Sequence, residues 1–199
     1  MLERGLEVDH STINRWVLHY SPELDQRCRP HLKLTNDSWR VDETYVKVKK
    51  QWKYLYLAVD SKGNTLDFLL TAKRDTNAAK RFFSKALKAS HTQEPRVINV
   101  DKNPSYPPAI EQLKKSDILP EETKLRQVKY LNNMVEQDHR GVKHLINPGM
   151  SFGSFNSARR TIKGNEAMNM IRKGQIQDVE KGDVMGQICF INQIFGIAA

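Results

Sequence analysis

The sequence predicts an α/β fold, a mixed β-sheet flanked by helices and preceded by a partial helix-turn-helix. Three observations predict it. Trp39 to Thr71 holds three strand-patterned segments joined by short turns. From Asn77 onward, helical and strand periodicities alternate. Ahead of both, Ser11–Tyr20 has an apolar stripe (Ile13, Trp16, Val17, Tyr20) at helical spacing, with polar residues on its other faces.

At the N-terminus, Gly5 is suited to end a short helical segment. Asp9 or Ser11 caps the next helix, and Pro22 is expected to stop it. Ser21–Ser38, with Pro22 and Pro30 and little periodicity, reads as a linker with at most one short helix. Trp39–Val48 is the first strand. Trp52–Asp60 is the second, and its apolar residues on both faces mark a buried central strand. Lys49-Lys50 joins these strands with no glycine to take a positive φ, so a strained or lengthened turn is expected. Lys62-Gly63-Asn64 turns the chain into a third strand, Thr65–Thr71.

Asn77–Lys88 is amphipathic, with Ala78, Phe82, Phe83, Ala86 and Leu87 on its apolar face. Arg96–Val100 is a short strand ending at Asp101. A helix opened by Pro107 or Pro108 runs to Lys115. Leu125–Tyr130 is a strand candidate, Asn133 to Ile146 a helix and Phe155–Lys173 a last long helix. Hairpins followed by crossovers give a mixed sheet with helices on its faces. This is the element order of the ribonuclease H-like fold. The division expected is 1–37 for the partial helix-turn-helix and linker, 38–175 for the ribonuclease H-like domain and 176–199 for a tail. The apolar end of that tail, Gly186–Ala199, reads as a packing segment, a dimer contact or a divergent end.

The chain has 199 residues, and 39% hydrophobic content is enough for a core in a domain of that size. Lys and Arg total 32 against 23 Asp and Glu, a formal net charge of +9. That excess favours a polyanionic partner, nucleic acid before membrane. No secretory signal or apolar spanning run is visible, so a cytoplasmic protein is expected, nucleoid-associated when bound to DNA. Cys28 and Cys189 have no Cys or His at ligand spacing and read as free thiols.

Three acidic residues stand where this order of elements brings chain segments together. Asp42 lies in the first strand, Asp101 ends the fourth and Glu136 sits on the helix after the fifth. There are 58 residues between the aspartates and 34 between Asp101 and Glu136. Phosphoryl transfer gives such a trio its reason. Two Mg²⁺ ions about 4 Å apart stabilise both the attacking and the leaving oxygen, and Mg²⁺ takes carboxylate ligands. Asp42 is the carboxylate expected to be shared, with Asp101 and Glu136 holding one ion each. Glu43 alternates to the strand face opposite Asp42 and is expected to lie outside the site. Glu136, Arg140 and Lys143 share a helix face. Lys143 is as well suited to a DNA phosphate as to a solvated surface.

The words around these residues are specific. Val41-Asp42-Glu43-Thr44-Tyr45-Val46-Lys47-Val48 and Trp52–Asp60 resemble the first catalytic block of the insertion sequence six family. Ile98–Lys102 resembles its second block, and Lys129–Arg140 its third. Lys143 stands where that family carries a basic residue, and Arg160–Gly164 is similar to its C-terminal helix. The resemblance implies a DDE transposase that cuts and joins DNA at terminal inverted repeats by two-metal phosphoryl transfer. It implies Mg²⁺, with Mn²⁺ as substitute, at Asp42, Asp101 and Glu136, and a catalytic role for Lys143. Expected partners are terminal repeats, target DNA and further copies of the chain, at least a dimer.

Val8–Val17 is similar to the recognition helix of the family's helix-turn-helix. Thr12, Asn14 and Arg15 are its expected DNA contacts, joined by Arg140 and Lys143. Ile13, Trp16 and Val17 are expected to pack the motif's own core. Family members carry more chain before this point, so the sequence reads as N-terminally truncated. The competing expectation is a non-catalytic DNA-binding remnant that interferes with full-length transposase.

Overall fold

The computed structural model describes residues 7–128, 135, 143 and 151–197. Its centre is a five-stranded mixed sheet in the order β3-β2-β1-β4-β5. β1 (Ser38–Val48), β2 (Gln51–Asp60) and β3 (Thr65–Thr71) form an antiparallel meander. β4 (Val97–Val100) and β5 (Lys124–Gln127) add in parallel on the other side of β1. α2 (Thr76–Leu87) and α3 (Tyr106–Lys115) are the crossovers. Apart from β5, which was expected to run on to Tyr130, these bounds lie within a residue or two of those expected, because local turn and capping signals set most of them. Asp75, for example, accepts from the Ala78 amide at 2.8 Å.

Strand alternation divides the core in two. Trp39, Val41, Tyr56 and Ala58 face α2 and α3, where they meet Phe82, Phe83 and Tyr106. Val46, Val48, Leu55, Leu57 and Val59 face the other side and pack with Val135, Ala158 and Ile162. β2 is therefore buried on both faces over most of its length, as its apolar run implied. Val135 and Lys143 are both helical, in the segment expected to be a helix; the rest of that segment lies outside the described residues.

Lys49 and Lys50 form a two-residue turn between paired Val48 and Gln51. Both have positive φ, 49° and 63°, which costs an L-residue with a side chain. The turn is therefore not lengthened but strained, and it is held from outside. Lys49 N donates to Phe152 O at 2.8 Å, Phe152 N to Lys47 O at 2.9 Å, and Lys50 N to Ser151 Oγ at 3.1 Å.

The N-terminal region departs from expectation. α1 runs unbroken from His10 to Cys28, through Pro22, and a 3-10 turn at Arg29–His31 follows. The expected stop and linker are replaced by helix. A proline removes the hydrogen bond to the carbonyl four residues back, here Leu18. In this fold Arg160 Nε donates to the Leu18 carbonyl, so the freed acceptor is satisfied by tertiary structure. Arg160 lies on α4 (Phe155–Arg172), which packs along α1 so closely that a Cβ at Gly164 would come within 2.1 Å of Ser21 Oγ.

A buried charge network fastens the same helices to the sheet. Asp67 on β3 accepts from Arg29 at 2.9 Å and from Lys85 of α2 at 2.6 Å. Asp25 accepts from Arg29 Nε at 3.0 Å and pairs with Lys163 of α4 at 3.3 Å. The tail is not free. α5 (Val184–Phe195) seats Phe190 against Cys28, Leu32 and Met170 in a third apolar cluster. This helix packs within the chain through Phe190, while Val184, Met185 and Ile188 stay exposed.

Candidate metal centre

The parallel pairing of β1 with β4 builds the site. Arg40 sits opposite Asn99 in that register. Two residues further along each strand are Asp42 and Asp101. Asp42 continues β1, whereas Asp101 lies just past the end of β4, where the chain is released into a loop. Ligand atoms of Asp42, Asp101 and Glu43 all lie within 4.8 Å of one another. The donor set is all carboxylate oxygen, which suits a hard divalent cation such as Mg²⁺ and excludes a thiolate or imidazole site at these three residues.

Glu43 was not expected here. It does alternate to the face opposite Asp42, with Trp39 and Val41, but Asp101 leaves the strand end close enough to meet both. Its side chain is 2% exposed and fully engaged. Asn103 Nδ2 donates to Glu43 Oε1 at 3.0 Å, the Tyr106 hydroxyl donates to Oε2, and Arg74 pairs with Oε1. The same arginine reaches Asp101 Oδ2 at 3.4 Å, and the Asn103 backbone N–H donates to Asp101 Oδ1 at 2.9 Å. Asp101 is thus oriented by two groups that Glu43 holds in turn. Burial and the neighbouring Glu43 push the Tyr106 phenol well above its ordinary range, so it stays a donor. For Arg74, burial works against the charge, but Glu43 outweighs it and the guanidinium stays protonated. The cation of Arg74 therefore lies against two of the three carboxylates, where positive charge is favoured.

One signal could have revealed Glu43. Alternation places it on the apolar face of a strand that is buried, and a carboxylate in such a place must have partners. Arg74, Asn103 and Tyr106 carried no pattern that linked them to it.

The other sequence candidates are distributed as follows. Lys143 is helical and exposed. Glu136 and Arg140 lie outside the described residues. Val135, one residue before Glu136, is fully buried against Val46, Leu57 and Ile162, on the face of β1 that Asp42 shares by alternation. On α1, Asn14 and Arg15 are exposed and Thr12 is half-buried, accepting from Arg15 at 2.9 Å. The expected packing of the α1 stripe inside its own motif is not seen among the described residues. Trp16, Val17 and Tyr20 are 42%, 38% and 49% exposed, because the side of α1 that faces α4 carries Ser21, Asp25 and Cys28 instead. The first arm of the helix-turn-helix falls on residues 1–6, outside the described residues.

Comparison with known proteins decides the family. A family model described as a DDE domain, of the IS240 transposase group, matches residues 36–175. The chain belongs to the insertion sequence six family of DDE transposases. The transposase is 38% identical over 171 residues to the transposase for insertion sequence-like element IS431mec of Staphylococcus aureus, covering 86% of this chain and 74% of the relative. It is also 38% identical, over 170 residues, to the transposase for insertion sequence element IS257 in transposon Tn4003 of the same species, covering 85% and 73%. Among solved structures, the integrase catalytic core domain of HTLV-2 in complex with magnesium, in its dimeric form, matches with a TM-score of 0.50 at 18% identity, over 75% of this chain and 94% of that one. At that identity the likeness is one of fold, and it places the transposase in the ribonuclease H-like class. No helix among the described residues is long and apolar enough to cross a membrane.

Proposed function

We propose that this transposase nicks DNA at the ends of an insertion sequence and joins the freed 3′ ends to target DNA, with Asp42, Asp101 and Glu136 as its metal ligands. The observation that carries the reading is the meeting of Asp42 and Asp101 at the edge of β1 and β4, in a chain of a DDE family. The burial of Val135 on the Asp42 face supports Glu136 as the third ligand, brought in from the following helix. Bound Mg²⁺ or Mn²⁺ supplies Lewis-acid activation of the attacking oxygen and charge neutralisation at the leaving one.

The chain's own residues do the rest. Asp42 and Asp101 present oxygen ligands from two adjacent strands, so their spacing is set by the sheet. Asn103 and Arg74 fix the direction of the Asp101 carboxylate, and Glu43 fixes both of them. Lys143 extends from its helix into solvent and holds a DNA phosphate. Residues 38–175 form the catalytic domain. α1 presents Thr12, Asn14 and Arg15 to duplex DNA, and DNA phosphates draw on the net charge of +9.

The test is Mn²⁺-dependent nicking and joining of oligonucleotide duplexes carrying the element's ends, with duplex binding measured beside it. Asp42→Asn, Asp101→Asn and Glu136→Gln are each expected to abolish nicking and joining and to leave duplex binding within about two-fold. A substitution that leaves nicking unchanged removes that residue from the ligand set. Binding without any metal-dependent nicking by the unsubstituted chain leaves a non-catalytic DNA-binding protein.

A further inference from the structure

Beside the metal centre, the outer half of the β1–β2 hairpin exposes aromatic rings. Tyr45 is 49% and Trp52 58% exposed. Their ring centroids are 6.0 Å apart, and Tyr54 stands 5.4 Å from Tyr45. Direct pairing of Tyr45 with Tyr54 and of Lys47 with Trp52 puts all four side chains on one face of the sheet, the face of Glu43. Further along that face α2 covers the sheet, burying Tyr56 under Phe82. At Tyr45 and Trp52 the sheet is open to solvent instead.

The surroundings are cationic. Lys47 Nζ lies 5.5 Å from the centre of the Trp52 ring. Residues 44–54 contain four lysines and no acidic residue. Arg74 joins this surface to the metal centre, with Nη1 donating to the Tyr45 hydroxyl at 3.5 Å while Nη2 reaches Asp101 at 3.4 Å.

We infer that Tyr45, Trp52 and Lys47 form a stacking platform for unpaired nucleotides of the DNA strand being cut. The inference rests on the nuclease reading above, since it concerns the strand that this reading brings to Asp42 and Asp101. The chemistry selects the occupant. An exposed aromatic pair with a lysine against one ring complements a polyanion that carries flat rings. A duplex hides the faces of its bases, whereas an unpaired strand offers them, and every base has such a face. A phosphate held at the carboxylates through a bound divalent cation brings its flanking nucleotides beside the platform, and an unpaired one can stack there. The platform lies one guanidinium away from Asp101, where that nucleotide would emerge. It gives this transposase a preference for unpaired bases that does not depend on their sequence.

The experiment is metal-free binding of a fluorescein-labelled twelve-nucleotide dT strand and of a mixed-sequence duplex of the same length, by anisotropy, with the full chain. A second readout is quenching of Trp52 emission by the unlabelled dT strand in a Trp16→Phe background, where the remaining Trp39 is fully buried. Trp52→Ala is expected to weaken dT binding by about five-fold to about a hundred-fold, the range for loss of one stacked base. Trp52→Phe is expected to keep most of the affinity, and both variants to bind duplex within about two-fold of the parent. Since Trp52→Phe preserves the hairpin's aromatic packing, it controls for misfolding of Trp52→Ala. Unchanged dT binding by Trp52→Ala, equal losses for dT and duplex, or no quenching of Trp52 overturns the platform. These outcomes are independent of nicking. Loss of the platform with nicking that still requires Asp42 leaves the catalytic reading intact. A Trp52-dependent preference for dT without any nicking removes the catalytic reading and keeps the platform.

Discussion

Replacing Glu43 with glutamine tests how the site is held. The carboxylate accepts from Asn103, from the Tyr106 hydroxyl and from Arg74, with its side chain almost wholly buried. Glutamine keeps the shape but loses the charge and one acceptor oxygen. Its Oε1 can keep Asn103, and its amide can donate to Tyr106 only if that hydroxyl reverses. The pairing with Arg74 loses its ionic part. Hydrogen bonds to a charged group are worth about 1.5–3 kcal/mol, so a loss of roughly 2–3 kcal/mol is expected. For a chain of this size that is a fall in Tm of about 4–12 °C. Glu43→Ala is expected to cost more, about 3–5 kcal/mol, because it strands a buried partner. The structure also predicts a functional cost, since Asn103 and Arg74 orient Asp101. Thermal melts with and without Mn²⁺ read both effects. Mn²⁺ is expected to stabilise the parent, and that stabilisation is expected to shrink in Glu43→Gln, with nicking shrinking alongside it. A Tm within about a degree of the parent, with an undiminished Mn²⁺ response, would refute the argument that Glu43 positions Asp101.

Three other outcomes follow from single features of the fold. Burial works to raise the Asp67 carboxyl, but Lys85 and Arg29 outweigh it and hold it below its ordinary value of 3.8. Its folded pKa is therefore lower than its unfolded one. The stability this contributes is present above about pH 4 and is lost as pH falls through the depressed value. Asp67→Asn should melt well below the parent at pH 7, with the gap closing below about pH 4; a gap constant from pH 7 to pH 3 contradicts this account. Lys50→Gly relieves the residue at φ 63° and is expected to raise stability by about 0.5–1 kcal/mol, read as a higher urea midpoint at unchanged slope. Duplex affinity is expected to fall at least about ten-fold between 50 and 200 mM salt, because basic residues on DNA phosphates release counterions. Affinity that is flat over that range counts against phosphate contacts.

The sheet was legible in the sequence because its cause is local. β2 reads as apolar on both faces, Lys62-Gly63-Asn64 marks a turn, and α2 shows its buried stripe in Ala78, Phe82, Phe83 and Ala86. A hairpin of three strands followed by crossovers leaves few ways to arrange a mixed sheet. Asp42 and Asp101 were legible too, one inside a strand and one at a strand end, because parallel neighbours carry such positions to the same edge.

Tertiary structure alone decided the rest, wherever a residue's state depends on a group far away in the chain. Pro22 is a stop signal by every local rule, yet α1 continues through it because Arg160 supplies the donor that the freed Leu18 carbonyl requires. The stripe of Trp16, Val17 and Tyr20 has helical periodicity yet is only partly covered, since periodicity finds an apolar face without saying what will cover it. Two lysines hold the β1–β2 turn at positive φ because the hydrogen bonds their amides donate to Phe152 and Ser151, some hundred residues later, offset the strain. Glu43 is the clearest case. Alternation alone sends it away from Asp42, but the end of β4 releases Asp101 into a loop that reaches both strand faces. Its buried charge is stable there only because Arg74, Asn103 and Tyr106 arrive from three separate places in the chain.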